Sequence, residues 1–256
     1  MSSIRAKPDF IIIGVQKGGT SSLFKYLSQH PQVATSSHKE LHFFDVNYQA
    51  GMEWYAQFFP LEAERQGRVV GEASPYYIFH PLAAGRIKAH LPDVKIIAML
   101  RDPIARAYSQ FQMQLRHKNE KDTDVFEEAI ALEPARMAGE HEKILADEAY
   151  NSYNHRKLSY LSRGLYFEQV QQWYSVFGRE RVLVLKSEDF FARTLVEFHK
   201  VCAFLGIADF RPPDLQPVNV HNYPDLAPET IDRLKAYYRD DGDKLAGLLG
   251  EHFRWW

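Results

Sequence analysis

Cysteine is almost missing from this chain. Cys202 stands alone among 256 residues, so neither an internal disulfide nor a cysteine-based zinc cluster can form. Long apolar runs are missing too. No stretch approaches the ~18 residues a membrane-crossing helix requires, and the opening MSSIRAKPD has no apolar core of a secretory leader. A cytoplasmic, reducing location without a membrane span is therefore expected. Neither sign of charge dominates, since the formal net charge is −2. No nucleic-acid partner is expected from such a balance, and any anion has to be held by local groups, not by the field of the whole molecule. Internal repeats and low-complexity linkers are absent as well. The composition that remains, 45% apolar and 25% charged, excludes global disorder. The length suffices for one large core, and residues 1–256 are read as a single domain.

Short apolar runs mark the expected strands: Phe10–Val15, which ends in a glycine turn, Val69–Glu72, Lys95–Leu100, stopped by Arg101-Asp102-Pro103, and Arg181–Lys186. Between them, helical periodicity is expected over Ser21–Ser28, Ile104–Arg116, Tyr166–Phe177 and Thr194–Leu205, with a last helix opening at Pro228. Strands alternating with helices predict an α/β protein, a P-loop-like three-layer fold with a mostly parallel sheet and helices on both faces. Residues 117–154 are polar and helix-prone, and would form a cap or lid. Residues 212–223 read as loop. Ligands of such sheets bind beyond the carboxyl ends of the strands, which draws attention to Gly14–Ser22, Glu72–Tyr77 and Arg101–Ser109.

The stretch Gly14-Val-Gln-Lys17-Gly18-Gly19-Thr20-Ser21-Ser22 joins a strand to a helix. A glycine turn entering a helix offers backbone N–H groups and a positive dipole end to an anion, and Thr20, Ser21 and Ser22 add hydroxyl donors. The pattern that binds ATP and GTP places lysine and then Ser/Thr after the last glycine, where the hydroxyl helps hold magnesium. Here the lysine precedes the paired glycines, which speaks against a magnesium-dependent kinase or nucleotide hydrolase. A plain turn with a solvated lysine is the alternative.

A second stretch, Lys95-Ile-Ile-Ala-Met-Leu-Arg101-Asp102-Pro103-Ile-Ala-Arg106-Ala-Tyr-Ser109, puts an arginine at a strand end and a serine two helical turns later. Taken together, the two stretches resemble sulfotransferases that use 3′-phosphoadenosine 5′-phosphosulfate (PAPS). The resemblance extends to "KELHFFD" (Lys39–Asp45), "GEASPYY" (Gly71–Tyr77), "LSRGLYFEQVQQW" (Leu161–Trp173), "RVLVLKSEDF" (Arg181–Phe190) and the C-terminal region. These blocks are similar to the heparan-sulfate-type branch and its bacterial relatives. The resemblance implies PAPS as co-substrate, with its desulfated form PAP as product, and no metal. It places the 5′-phosphosulfate on Lys17, Gly18, Gly19, Thr20, Ser21 and Ser22, and the 3′-phosphate on Arg101 and Ser109. Lys17 would offset charge building on the leaving phosphate, the task that magnesium shares in a kinase. Two other readings stand beside it: Asp102 as the metal-binding aspartate of an ATPase, and Arg101 as a salt-bridge partner of Asp102.

Transfer to a hydroxyl requires a base. By resemblance Glu40 is that base, its pKa expected to rise toward neutrality beside bound phosphates. His42 either packs structurally, orients Glu40, or is itself the base. Asp45, Glu72, Ser74, Tyr76, Arg163 and Gly164 match stretches that line the acceptor cleft. Three departures from the branch stand out: Ser21 replaces an arginine, the single cysteine leaves no C-terminal disulfide, and Asn219-Val220-His221 replaces Lys-Gly-Arg. With a net charge of −2, these departures do not favour a polyanionic acceptor. The aromatics Phe43, Phe44, Trp54, Tyr55, Phe58, Phe59, Tyr76 and Tyr77 would suit a sugar ring, a lipid-like alcohol or a hydroxyacyl chain on an acyl carrier protein, unless they are simply core.

Overall fold

The structure, a computed structural model, describes residues 4–219 and 221–256. In chain order, β1 (Phe10–Gly14) leads to α1 (Thr20–Ser28), and β2 (Val33–Thr35) to α2 (Gly51–Ala56) and α3 (Glu62–Arg65). Next, β3 (Val69–Ala73) leads to α4 (Ala83–His90), and β4 (Lys95–Leu100) to α5 (Pro103–Arg116). Helices α6 (Phe126–Met137), α7 (Glu140–Ala146) and α8 (Tyr166–Phe177) precede β5 (Val182–Lys186), and α9 (Ser187–Ala192), α10 (Thr194–Leu205) and α11 (Pro228–Leu249) follow it. The chain divides into two compact units, Met1–Leu100 with Gln172–Val220, and Arg101–Gln171 with His221–Trp256.

The first unit carries the sheet. Among the described residues its five strands run in the order β2-β3-β1-β4-β5, and every pairing is parallel. Phe10 to Ile13 are wholly buried, as expected for a central strand covered on both faces. Burying each such side chain stabilises the fold by about 1.5–3 kcal/mol. Phe10 and Ile12 join Leu23, Tyr26 and Leu27 of α1, Ile97 and Met99 of β4, and Phe198, Val201 and Cys202 of α10 in one core. Gly71 lies opposite Phe10, where a Cβ would meet the phenyl ring at 2.2 Å. The four expected strands are present. β2 is the strand the sequence did not signal, because Val-Ala-Thr is too short to show a period.

The second unit is helical. Ile104, Phe111, Phe126, Ile130, Tyr160, Leu234 and Tyr238 form its core. Residues 117–154 contain α6 and α7, and the Arg136 guanidinium of α6 donates to both oxygens of Glu120, in the loop before that helix, at 2.8 Å. Asp102 caps α5 by accepting from Ile104 N and Ala105 N at 2.8 and 3.0 Å. Asp241 of α11 does the same for α8, accepting from Tyr166 N and Phe167 N. Each cap satisfies helix-end amides that have no partner within the helix.

Candidate active site

At the carboxyl end of β1 the chain turns tightly against β4: Val15 N donates to Met99 O at 2.9 Å and Gly18 N to Val15 O at 3.0 Å. A Cβ on Gly18 would sit 2.5 Å from the Met99 carbonyl, so only glycine fits. Gly19 has φ 97° and the Phe191 ring 2.9 Å from where a Cβ would be, a backbone conformation that L side chains rarely adopt. The Ser187 hydroxyl donates to Gly18 O at 2.9 Å and braces the turn from α9. Helix α1 starts at Thr20, one residue earlier than its sequence pattern, and Ser22 is buried with its oxygen accepting from Val218 N at 2.9 Å. Lys17, at the mouth of the turn, has φ 70°.

Beyond β2 a loop returns to the carboxyl end of β3, the strand next to β1, and Glu40 N donates to Ala73 O at 2.9 Å. Glu40 has φ 62° and His42 φ 51°. Among the described residues, six non-glycines have positive φ: Lys17, Glu40, His42, Gln66, Lys118 and Asn219. Three of them are the residues assigned to the reaction. Such conformations cost energy and gather at functional sites.

The side chains of this loop form one charged row. Lys39 Nζ bonds Glu40 Oε1; His42 Nε2 lies 3.7 Å from Glu40 Oε2; His42 Nδ1 donates to Asp45 Oδ2 at 2.8 Å. Burial alone would pull the His42 imidazole down, but Asp45 and then Glu40 outweigh it and lift the pKa to about 9. Partial burial likewise pushes the Glu40 carboxyl up, yet His42 and Lys39 reverse this and bring it to about 2. The rise expected of Glu40 beside bound phosphates is opposed by its own neighbours, since Lys39 and His42 favour its charged form. His42 Nδ1 is committed to Asp45 and its Nε2 faces Glu40, an arrangement that lets His42 orient that carboxylate.

Glu72 shows the opposite shift. It is wholly buried on β3, and Ser74 Oγ (2.8 Å), Tyr55 OH and Tyr77 OH (3.0 Å each) all donate to it. Desolvation exceeds those three hydrogen bonds and raises its pKa to about 7. Ser74 is buried beside it, as are Asp45 and Tyr76, whose ring meets His80 edge-on at 5.4 Å. Phe43, Phe44, Tyr55, Phe59, Tyr76 and Tyr77 are at most 3% exposed. They are core, and only Trp54 and Phe58 of that aromatic group keep partial exposure. Four participants were not singled out from the sequence in these roles: Lys39 beside Glu40, Tyr55 and Tyr77 on Glu72, and Ser187 on the glycine turn. Of these, Tyr55 and Ser187 find their partners only through tertiary contacts.

In the second unit, Arg101 follows the last residue of β4 and Tyr166 OH donates to its carbonyl at 2.8 Å. Asp102 serves as the cap of α5, which accounts for its place without a metal-binding role. Ser109 lies two turns along α5 and is buried. Arg163, also buried, donates to Ser159 Oγ at 2.7 Å and His155 O at 2.8 Å. A Cβ on Gly164 would meet Tyr238 Oη at 2.6 Å. Asn219 has φ 60°; Val220, within the same departure from Lys-Gly-Arg, lies outside the described residues.

A parallel sheet with a glycine-lined, lysine-headed turn at its central strand defines a P-loop-like α/β protein, with a turn whose backbone suits an anion. A family model described as "Sulfotransferase domain" matches residues 7–222, and the chain belongs to the sulfotransferase family of enzymes. A solved sulfotransferase from Alicyclobacillus acidocaldarius is 32% identical with a TM-score of 0.73, over 95% of this chain and 96% of its own. The membrane-associated sulfotransferase kil1 of Dictyostelium discoideum is 27% identical over 97% of this chain. Human heparan sulfate glucosamine 3-O-sulfotransferase 3B1 is also 27% identical, over 99%. This chain spans 66% of the length of each of those two relatives. Among the described residues, no helix is long and apolar enough to cross a membrane.

Proposed function

We propose that this chain transfers the sulfuryl group of PAPS to a hydroxyl of a carbohydrate or a small organic acceptor, hydroxyacyl chains on an acyl carrier protein included, and that residues 1–256 act as one sulfotransferase domain. The observation that carries this reading is the left-handed backbone shared by Lys17, Glu40 and His42, since strain of that kind is kept where geometry has a task. The glycine turn fits the donor: Gly18 and Gly19 pack so closely against Met99 and Phe191 that a Cβ would clash, which fixes a tight turn into the start of α1, where backbone amides suit a phosphate.

In this reading Glu40 takes the proton of the acceptor hydroxyl, whose oxygen attacks sulfur in line with the departing phosphate. Lys17 offsets the charge that grows on the leaving oxygen. His42, held by Asp45, keeps Glu40 aimed. Thr20, Ser21 and Ser22 complete the cradle, and Arg101 and Ser109 hold the 3′-phosphate. Asp45, Glu72, Ser74 and Tyr76 stand behind the acceptor, a role that suits their burial, and an acceptor role for Arg163 and Gly164 rests on the resemblance alone. The carbohydrate option draws support from the 3-O-sulfotransferase relative. The balanced charge and Ser21 favour an acceptor less acidic than heparan sulfate. A cytoplasmic location accords with the single, buried Cys202.

Titration calorimetry with PAP and with ATP plus magnesium tests the reading. PAP is expected to bind the more tightly; tighter ATP binding would replace it with a kinase or nucleotide hydrolase.

A further inference from the structure

The Glu72 carboxyl group is wholly buried, and three hydroxyls converge on it. Two of them have a second duty. With its proton given to Glu72, the Ser74 oxygen accepts from His42 N at 3.2 Å. The Tyr77 oxygen, likewise committed, accepts from Phe43 N at 2.9 Å and Phe44 N at 3.3 Å. Three consecutive amides of the loop between Glu40 and Asp45 are thus held by two hydroxyls, and one buried carboxylate sets the direction of both. A hydroxyl has a single proton, so an acceptor that claims it leaves the oxygen lone pairs facing the amides. Both hydroxyls are aimed alike because the same buried acceptor takes their protons.

We infer that Glu72 is a positioning residue for sulfuryl transfer: through Ser74 and Tyr77 it fixes the amides of His42, Phe43 and Phe44, and so holds Glu40 and His42 in the left-handed backbone that aims the base. Glu72 acts on the loop from beneath and touches neither substrate. Tyr55 shares the carboxylate but bonds no loop amide, so it belongs to the support of Glu72 and not to the chain of command over Glu40. The inference rests on Glu40 being the base, and the two claims fail in different experiments.

Amide hydrogen exchange by NMR, with and without PAP, reads the loop directly. Tyr77→Phe should speed exchange at Phe43 and Phe44 about tenfold or more, and Ser74→Ala should do so at His42, since each removes a hydrogen bond worth about a factor of ten. Glu72→Gln should loosen all three, and Tyr55→Phe none. Turnover of labelled sulfuryl from PAPS should fall about 100-fold in Glu72→Gln, the cost of a small misplacement of a reacting group, with KM for PAPS unchanged within about twofold. Unchanged exchange at all three amides in both Tyr77→Phe and Ser74→Ala would overturn the inference, whether or not Glu72→Gln folds. Loosened amides with full turnover in the same variants would overturn it too. Failure of the wild-type protein to bind PAP strikes only the proposed function, because the exchange arm needs no substrate.

Discussion

Between Gly14 and Ser28 the turn after β1 contains no carboxylate, whereas the seven residues Lys39–Asp45 contain two. The first region works with backbone. Its shape depends on Gly18 meeting a carbonyl of β4 and on Gly19 taking a conformation that L residues avoid, and its positive charge lies in Lys17 and a helix start. The second works with side chains, and its non-glycine residues bear the left-handed backbone themselves. Side by side at the ends of neighbouring parallel strands, one region suits an anion and the other a proton. The contrast repeats within the second region. Glu40, flanked by two cations, is held at about 2, while Glu72, desolvated and hydrogen-bonded by hydroxyls with the Asp45 charge nearby, rises to about 7. Charged neighbours set the first and desolvation sets the second.

Removing the base should break the contrast most severely: Glu40→Gln is expected to lower kcat by about 10²- to 10⁴-fold, the range for general-base catalysis, with PAP affinity preserved. Steady-state rates with labelled PAPS check this. Lys17→Ala is expected next, with a loss of about 10²- to 10³-fold in kcat and a small change in PAP binding by calorimetry. Full turnover in that variant would remove Lys17 from the reaction.

The pair of carboxylates also separates in a stability profile. The folded-state pKa of Glu72 (about 7) lies above its ordinary value of 4.5. Its contribution to stability is therefore complete below pH 4.5 and is lost as pH rises through 7. Denaturant titrations from pH 4.5 to 8 should show the wild type losing about 3 kcal/mol relative to Glu72→Gln across that window; a flat difference curve would show that Glu72 titrates normally. The smallest effect is expected at Gly19, where Ala should cost about 1–2 kcal/mol for its left-handed backbone, measured by the same titrations. Gly18→Ala, aimed at a carbonyl instead of a movable ring, should cost more.

The anion turn was legible because its cause is local: an apolar strand, two glycines and hydroxyls at a helix start lie within fifteen residues. Strand β4 and its capped helix were legible for the same reason, since Asp102-Pro103 spells a helix start. Glu40 and His42 were reached through resemblance, but the direction of the Glu40 shift was not, because it depends on where the Lys39 and His42 side chains turn. "GEASPYY" reads as acceptor lining, and nothing local reveals that Tyr55, seventeen residues before Glu72, and the amides of Phe43 and Phe44, thirty or more from Tyr77, bind beneath the loop. The aromatics could face a ligand or a core on sequence grounds, and burial decided for the core.

In the proposed function Arg101 and Ser109 hold the 3′-phosphate of the nucleotide. Calorimetry of PAP against adenosine 5′-phosphate, which lacks the 3′-phosphate, tests it most directly. The account predicts that PAP binds the wild type about 10- to 100-fold more tightly, the worth of a charge-assisted contact, and that Arg101→Ala erases most of this difference. Equal affinity for the two nucleotides, or an unchanged preference in Arg101→Ala, would contradict it.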